Sequence, residues 1–208
     1  MQTAAAILLV FLGGFAVMVL EIIGARFLLK DFGGAFYVWT SQIGVVLVAL
    51  SLGYWFGGRW ADRFQRARFL TWLLVPSGLF TLAIPDFAPR LIDALVSRHP
   101  ADADISLLWQ KLDPALGSAL VFLFPCFVLA TLSPYMIRLL AAQLGNVGAV
   151  SGAVYAASTA GSVAGVFISG YVLLDHLGLS TIFRATGGLT LGLAGLCLWL
   201  DRALARKT

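Results

Sequence analysis

Six long apolar runs, separated by shorter polar segments, divide the chain. They fall near residues 4–25, 37–57, 69–85, 114–137, 147–174 and 180–200. Each run has the roughly 17 residues or more with which a helix can cross the hydrocarbon core of a bilayer. No lysine or arginine precedes the first run, which favours a retained helix over a signal peptide. The pattern predicts an all-α, polytopic membrane protein, with six transmembrane helices in a single domain over residues 1–208.

One polar segment, residues 86–113, is long enough to have structure of its own. It carries five aspartates against two arginines and one lysine. Apolar residues recur in it at helical spacing, at positions 91, 92, 95 and 96 and again at 105, 108, 109 and 112. We therefore predict an outer amphipathic loop with two short helices that lie at the membrane interface.

Composition supports the membrane assignment. The chain is 60% hydrophobic and 12% charged, with a mean hydropathy of +0.93. A soluble domain carries about 25% charged residues. One internal core could not bury this much apolar surface, so we expect the lipid bilayer to be the main partner.

The arginines are clustered, and their distribution indicates the topology. Residues 59–68 hold four arginines and one aspartate, which is typical of a cytoplasmic loop. An even number of spans then places both termini on the cytoplasmic side. Short basic clusters between apolar runs do not make a continuous binding surface, so we expect no nucleic-acid partner.

The residues that could hold a metal are few and scattered. Cys126 and Cys197 lie within apolar runs, where cysteine usually behaves as a small buried hydrophobe. His99 and His176 are far apart in sequence. We expect no disulfide, no metal site, no catalytic spacing and no cofactor.

The only glutamate, Glu21, lies inside the first apolar run. We expect it to lie about one helical turn from the outer end of that helix. Ionisable side chains are costly in hydrocarbon, so an intramembrane acid is a candidate functional residue. Its nearest cation in sequence is Arg26. Two interpretations stay open: the two residues pair with each other or with backbone near the outer interface and fix helix packing, or Glu21 accepts a cation or a proton.

The fifth run has two stripes of small residues at four-residue spacing. One comprises positions 148, 152, 156, 160 and 164, and the other positions 149, 153, 157, 161, 165 and 169. Small residues at this spacing let helix backbones approach closely in lipid. Gly152, Gly161 and Gly165 are therefore predicted packing positions, and this helix is predicted to lie in the middle of the bundle.

Two sets of motifs carry a resemblance to known families. Gly58, Asp62, Arg63 and Arg66 match the Gly-x-x-x-Asp-Arg-x-Gly-Arg loop of major facilitator transporters, with Gln65 in place of the second glycine. More broadly, the chain resembles the membrane half of the bacterial fused major-facilitator/spermidine-synthase-like proteins. The segments that carry this resemblance are 21–26, 32–41, 50–59, 133–138, 154–162 and 165–171.

The resemblance implies a fold and a location. The fold would be one half of a major facilitator transporter, in the bacterial cytoplasmic (inner) membrane. In that family a cytoplasmic aminopropyltransferase-like domain, with its catalytic acid and its decarboxylated S-adenosylmethionine pocket, follows the membrane half. No such segment occurs within these 208 residues, so we expect no enzymatic activity from them.

Three functions are compatible with these features. The first is a binder or carrier of a small solute such as a polyamine or another organic cation, working as a homo-oligomer with the site between subunits. The first, second and fifth spans would line this site, with candidate residues Glu21, Arg26, Tyr37, Thr40, Ser41, Tyr54 and Tyr155. The second is a membrane anchor, scaffold or accessory subunit for a separately encoded synthase-like enzyme or a larger complex. The third, an intramembrane enzyme, finds no support in residue spacing.

Overall fold

In a computed structural model, which describes residues 2–99, 105–144 and 146–205, the six apolar runs form six helices long enough to cross a membrane. The prediction of an all-α fold with six membrane helices is confirmed. The elements are α1 (Gln2–Phe32), α2 (Ala35–Phe64), α3 (Arg68–Val96), α4 (Leu107–Ser118), a π-helical turn (Ala119–Leu123), α5 (Phe124–Ala130), α6 (Leu132–Leu144), α7 (Val147–Ile168), a second π-helical turn (Ser169–Leu173), α8 (Leu174–His176) and α9 (Leu179–Ala205).

The fourth and fifth spans are composite. The fourth runs from α4 through the first π-helical turn to α6, and the fifth runs from α7 through the second π-helical turn to α8. Pro125 lies directly after the first turn and offers no backbone N–H to the preceding carbonyls. Ser169, in the second turn, donates its hydroxyl to the Gly165 carbonyl at 2.5 Å. Both features disturb the regular helical hydrogen-bond pattern locally.

The segment 86–113 differs from its prediction. α3 continues without a break to Val96, and α4 begins at Leu107 as the first part of the fourth span. The expectation of a loop with two separate interfacial helices is therefore wrong. The physical reason is that Ile84, Ala88 and Ile92 form one fully buried stripe, so the end of α3 packs into the bundle.

The start of α1, the end of α9 and the segment 59–68 share one end of the bundle, called here the basic end. Gln2 donates its side-chain amide to the Ala203 carbonyl at 2.5 Å, which joins the start of α1 to the end of α9. The Tyr135 hydroxyl donates to the Arg66 carbonyl at 2.9 Å. Termini on the same side are what an even number of spans requires.

The opposite end holds a charged cluster that sequence reasoning missed. Asp113 is only 4% exposed, and both its carboxylate oxygens have partners. The Arg98 guanidinium donates to one oxygen, and His99 Nε2 lies 2.6 Å from the other. Arg98 also lies over the Trp109 ring, 4.2 Å from its centroid. The cluster ties the end of α3 to α4 across the chain segment that joins them.

α1 and the fourth span are the most buried helices of the bundle. In their most apolar stretches 61% of the fourth span and 56% of α1 are buried, against 28% for α2 and 17% for the span that begins with α7. α1 contacts α2, α5, α7 and α9, and α3 packs along α9. The prediction that the fifth span lies in the middle is wrong. One of its small-residue stripes packs on α1 at Gly161 and Gly165, whereas the other stripe is exposed from position 148 to position 160.

The packed stripe brings the backbones of α1 and α7 into contact. A Cβ on Gly161 would overlap the Phe11 carbonyl oxygen, and one on Gly165 would lie 2.6 Å from the Phe15 carbonyl oxygen. In the other direction, a Cβ on Gly14 would overlap the Ser158 carbonyl oxygen. Only glycine permits this approach, so these positions fix the crossing of the two helices.

Replacing Gly161 with alanine is expected to destabilise the bundle. The new methyl group would overlap the Phe11 carbonyl oxygen, and a backbone atom cannot rotate away. The expected cost in unfolding free energy is about 1–3 kcal/mol, the usual range for overpacking. Thermal unfolding of the purified protein in detergent micelles measures it.

Gly152→Ala, in the same helix, is the matched control. Within the described residues, no atom lies within 4 Å of a Cβ at position 152. Alanine is favoured over glycine in a helix interior by about 1 kcal/mol, so this variant should unfold no earlier than the wild type. Equal losses of stability in the two variants would contradict the proposed crossing.

Candidate functional site

A small polar cavity lies where α1, α2, the fourth span and α7 meet. Its volume is about 40 Å³, enough for one or two water molecules. Its polar lining consists of Tyr54, Ser133, Ser158 and Ser162. We call it the serine cavity.

The serine hydroxyls of this cavity bond between helices. Ser133 Oγ donates to Ser158 Oγ at 3.4 Å, and Ser162 Oγ donates to the Gly14 carbonyl at 3.4 Å. The close crossing of α1 and α7 makes this possible, because a side chain at position 14 would fill the space. The cavity is thus a consequence of the same glycines that fix the crossing.

Glu21 lies on the face of α1 that leads to the serine cavity. Gly14, Val17 and Met18 line the cavity, and Glu21 follows them at the three- to four-residue spacing of one helix face. Its side chain is partly buried. α1 continues to Phe32, so Glu21 lies eleven residues, about three turns, from the outer end of its helix, and the expectation of one turn is wrong.

The Glu21–Arg26 ion pair does not form. Of the ion pairs between described residues, none includes either side chain. Residues five apart are separated by about 140° around an α-helix, whereas paired side chains are three or four apart. Arg26 is exposed. Glu21 is therefore an acid at membrane depth whose charge no described cation neutralises.

The other predicted site residues fall at two depths. Tyr54 lines the serine cavity, whereas Tyr155, exposed on α7, is not among the residues that line it. Thr40 and Ser41 lie more than three helical turns away along α2, nearer the opposite end. Tyr37 is in the first turn of α2, with Lys111 Nζ 5.7 Å from its ring centroid. The structure therefore does not gather all seven residues into one compact site.

Sequence reasoning missed Gln42, a fully buried polar residue near Glu21. Its amide donates to the Leu20 carbonyl at 3.4 Å while its oxygen accepts from Ser118 Oγ at 2.7 Å. A Cβ on Gly24 would lie 2.5 Å from the Gln42 amide nitrogen, so this glycine makes room for it. The feature of the sequence that could have identified it is that Gln42 is the only glutamine in the uncharged run from 32 to 58.

The loop motif at the basic end is connected to the fourth span. Asp62 Oδ1 accepts from Arg138 Nε at 2.6 Å. Both side chains are largely exposed, so the pair contributes little stability. The Arg63 guanidinium lies 5.5 Å from the Phe64 ring centroid. A Cβ added to Gly58 would have no described atom within 4 Å, so this glycine is not required by packing.

Gln65 ends α2 in the left-handed conformation, with φ of 52°. This region favours glycine, because a side chain there is strained. This is the position at which the chain has Gln65 in place of the second glycine of the major facilitator loop motif. Comparisons of the chain with protein-family models, with curated proteins and with solved structures find no match. The family resemblance therefore stays a prediction that rests on these motifs.

The serine cavity is expected to hold water. After replacement of the two buried cysteines, Cys126 and Cys197, with alanine, Ser158→Cys introduces a thiol into the cavity with little change in volume. Hydrogen peroxide, which is little larger than water and therefore fits a cavity of this size, should oxidise this thiol to the sulfenic acid, because only a hydrated thiolate reacts with it. Mass spectrometry of the reconstituted protein follows the reaction.

Val163→Cys is the control for this measurement. Val163 lies on the same helix, is 49% exposed and does not line the cavity, so its thiol should face lipid and react several times more slowly. Modification of both thiols at the same rate would show that the cavity is no wetter than the lipid-facing surface.

Proposed function

We propose that this chain binds or carries a small organic cation within the bilayer, with Glu21 as the acceptor. The observation that carries the proposal is Glu21 itself, partly buried at membrane depth and without an ion pair among the described residues. A charge in this position is costly unless it is neutralised. A bound cation or a proton would neutralise it.

The route to Glu21 would run between α2 and α7. These are the least buried spans of the six, and Tyr54 and Tyr155 lie on them. Tyrosine rings can stabilise a passing cation through their faces. The serine cavity, at about 40 Å³, is too small for a polyamine, so binding would require α2 and α7 to move apart. The π-helical turn Ser169–Leu173 is a place where the helix already departs from regular geometry.

The finer assignments follow from the resemblance and from charge. A polyamine is the preferred organic cation because the related membrane halves are fused to a spermidine-synthase-like domain. The location would be the bacterial inner membrane, with the basic end in the cytoplasm by the positive-inside rule. A second copy packed on the α2 and α7 surface would enclose the route, as the two halves of a transporter do.

A second candidate function is a membrane anchor or accessory subunit. The observation in its favour is the small-residue stripe of α7 that packs on no other helix of the described chain. Gly148, Gly152, Ala156 and Ala160 are all exposed, and a surface of this kind lets another helix approach closely. The partner would be a separately encoded synthase-like enzyme or a larger membrane complex.

Glu21→Gln distinguishes the two functions. The variant keeps the shape of the side chain and removes its charge. Uptake and binding of radiolabelled spermidine and tetraethylammonium are measured in proteoliposomes. We expect cation binding and uptake by the variant to fall about tenfold or more, because contacts with a buried charged group contribute roughly 1.5–3 kcal/mol.

The matched control is Asp175→Asn, which removes an exposed acid that takes part in none of the ion pairs between described residues and should leave both measurements unchanged. Equal uptake by Glu21→Gln and the wild type would refute the acceptor role. Loss of folding in Glu21→Gln, seen in thermal unfolding, would assign the residue to packing. If the wild type neither binds nor moves either cation, and a partner co-purifies with it, the anchor function is favoured.

A further inference from the structure

A groove that is larger than the serine cavity, and separate from it, runs along the outside of the bundle between α3 and α9. Its volume is about 580 Å³, within the usual range for ligand pockets. Its walls are Trp72, Val75 and Pro76 of α3 and Leu198 of α9, with Thr71 beside them. Thr71 Oγ1 donates to the Ala194 carbonyl at 3.2 Å, so its one polar wall group is already bonded. The groove therefore presents an apolar surface to its surroundings.

A cation stands at one end of this groove. Arg68 lines it and is exposed. Its backbone N–H donates to Asp201 Oδ1 at 3.3 Å, which fixes the start of α3 against α9. Its guanidinium takes part in none of the ion pairs between described residues. The groove thus combines an apolar channel with a free positive charge at its mouth.

The surroundings of Arg68 are positive. Residues 59–68 carry a net charge of +3, and Arg202 follows Asp201 at the end of α9. Of the two nearby acids, Asp62 is paired with Arg138, and Asp201 accepts from the Arg68 backbone. An anion that approaches the mouth of the groove therefore meets a surplus of arginine.

Trp72 marks the depth of the groove in the bilayer. It is 79% exposed and lies one helical turn from Arg68. Exposed tryptophan and arginine in neighbouring turns are typical of a membrane interface, where the ring lies at the level of the headgroups. The charged mouth is then at headgroup level and the apolar channel extends toward the hydrocarbon. This order of charge and apolar surface matches one phospholipid molecule.

We propose that the α3–α9 groove binds one anionic phospholipid. Arg68 contacts the lipid phosphate, and an acyl chain lies along Trp72, Val75 and Leu198. Basic pockets between membrane helices bind anionic headgroups through the same combination of charge and shape. This site is separate from Glu21 and does not depend on whether the chain transports a solute.

Native mass spectrometry of the full chain, released from nanodiscs, tests the proposal. The nanodiscs contain either phosphatidylglycerol or phosphatidylcholine with the same acyl chains. We expect one phosphatidylglycerol to stay bound to the wild type in preference to phosphatidylcholine. Arg68→Gln should weaken its retention about fivefold, the contribution of one basic residue beside an anionic surface.

Two further variants make the result specific. Val75→Trp fills the channel without changing the charge, and should also reduce retention. Arg63→Gln removes the same charge from the same segment but lies outside the groove, over Phe64, and should retain the lipid as the wild type does. Because Arg68 and Arg63 are exposed, both glutamine variants should fold.

Three outcomes would overturn the proposal. One is equal retention of the two lipids by the wild type. Another is an equal loss in Arg63→Gln and Arg68→Gln, which would indicate general attraction to the basic end. The third is a dimer without bound lipid that Val75→Trp dissociates, which would show that a second copy of the chain occupies the groove.

Discussion

The contact between the backbones of α1 and α7 determines the rest of the central architecture. Gly161 and Gly165 cross the carbonyls of Phe11 and Phe15, and Gly14 crosses the carbonyl of Ser158. Helices in lipid gain little from the hydrophobic effect, so close van der Waals packing has to hold them together. The crossing brings Ser158 and Ser162 against α1 and leaves the serine cavity beside it. It also directs one face of α1, with Glu21 on it, toward the least covered side of the bundle.

Gln42 and Glu21 lie at similar depth but differ in their burial and in their polar partners. Gln42 is fully buried, and both ends of its amide have partners on neighbouring helices. A buried polar group that is hydrogen-bonded in this way contributes a modest stabilisation to helix association. Glu21 has no ion pair within the described chain and is only partly buried. Gln42 therefore serves packing, whereas packing alone gives no reason for a carboxyl group at position 21.

Local patterns predicted what depends on local chemistry. Apolar runs specified the six spans because each membrane helix must satisfy its own backbone in lipid. The spacing of small residues identified Gly161 and Gly165 as residues that could approach another helix. It could not show that α1 would be the partner, or that the parallel stripe through Gly152 would stay uncovered. Those outcomes depend on helix rotation and on which helix lies opposite, which a single sequence does not encode by periodicity.

The features that the sequence predicted wrongly, or did not predict, also depend on which helices pack together. The amphipathic pattern near Ile92 fitted an interfacial helix and a buried helix end equally well, and only the packing partner decides between them. The partners of Asp113, namely Arg98 and His99, became neighbours only when α3 and α4 met at the opposite end of the bundle. In the sequence Gln65 is a departure from a loop motif, whereas its left-handed backbone is a property of the turn that only the structure shows.

The most direct test of this account is a double-mutant cycle between Glu21 and Arg26. Unfolding free energies of Glu21→Gln, Arg26→Gln and the double variant are measured against the wild type. If the two side chains do not pair, their effects should add to within about 0.5 kcal/mol. A favourable coupling of about 1 kcal/mol or more would contradict the account, because it would make Glu21 one half of a structural ion pair.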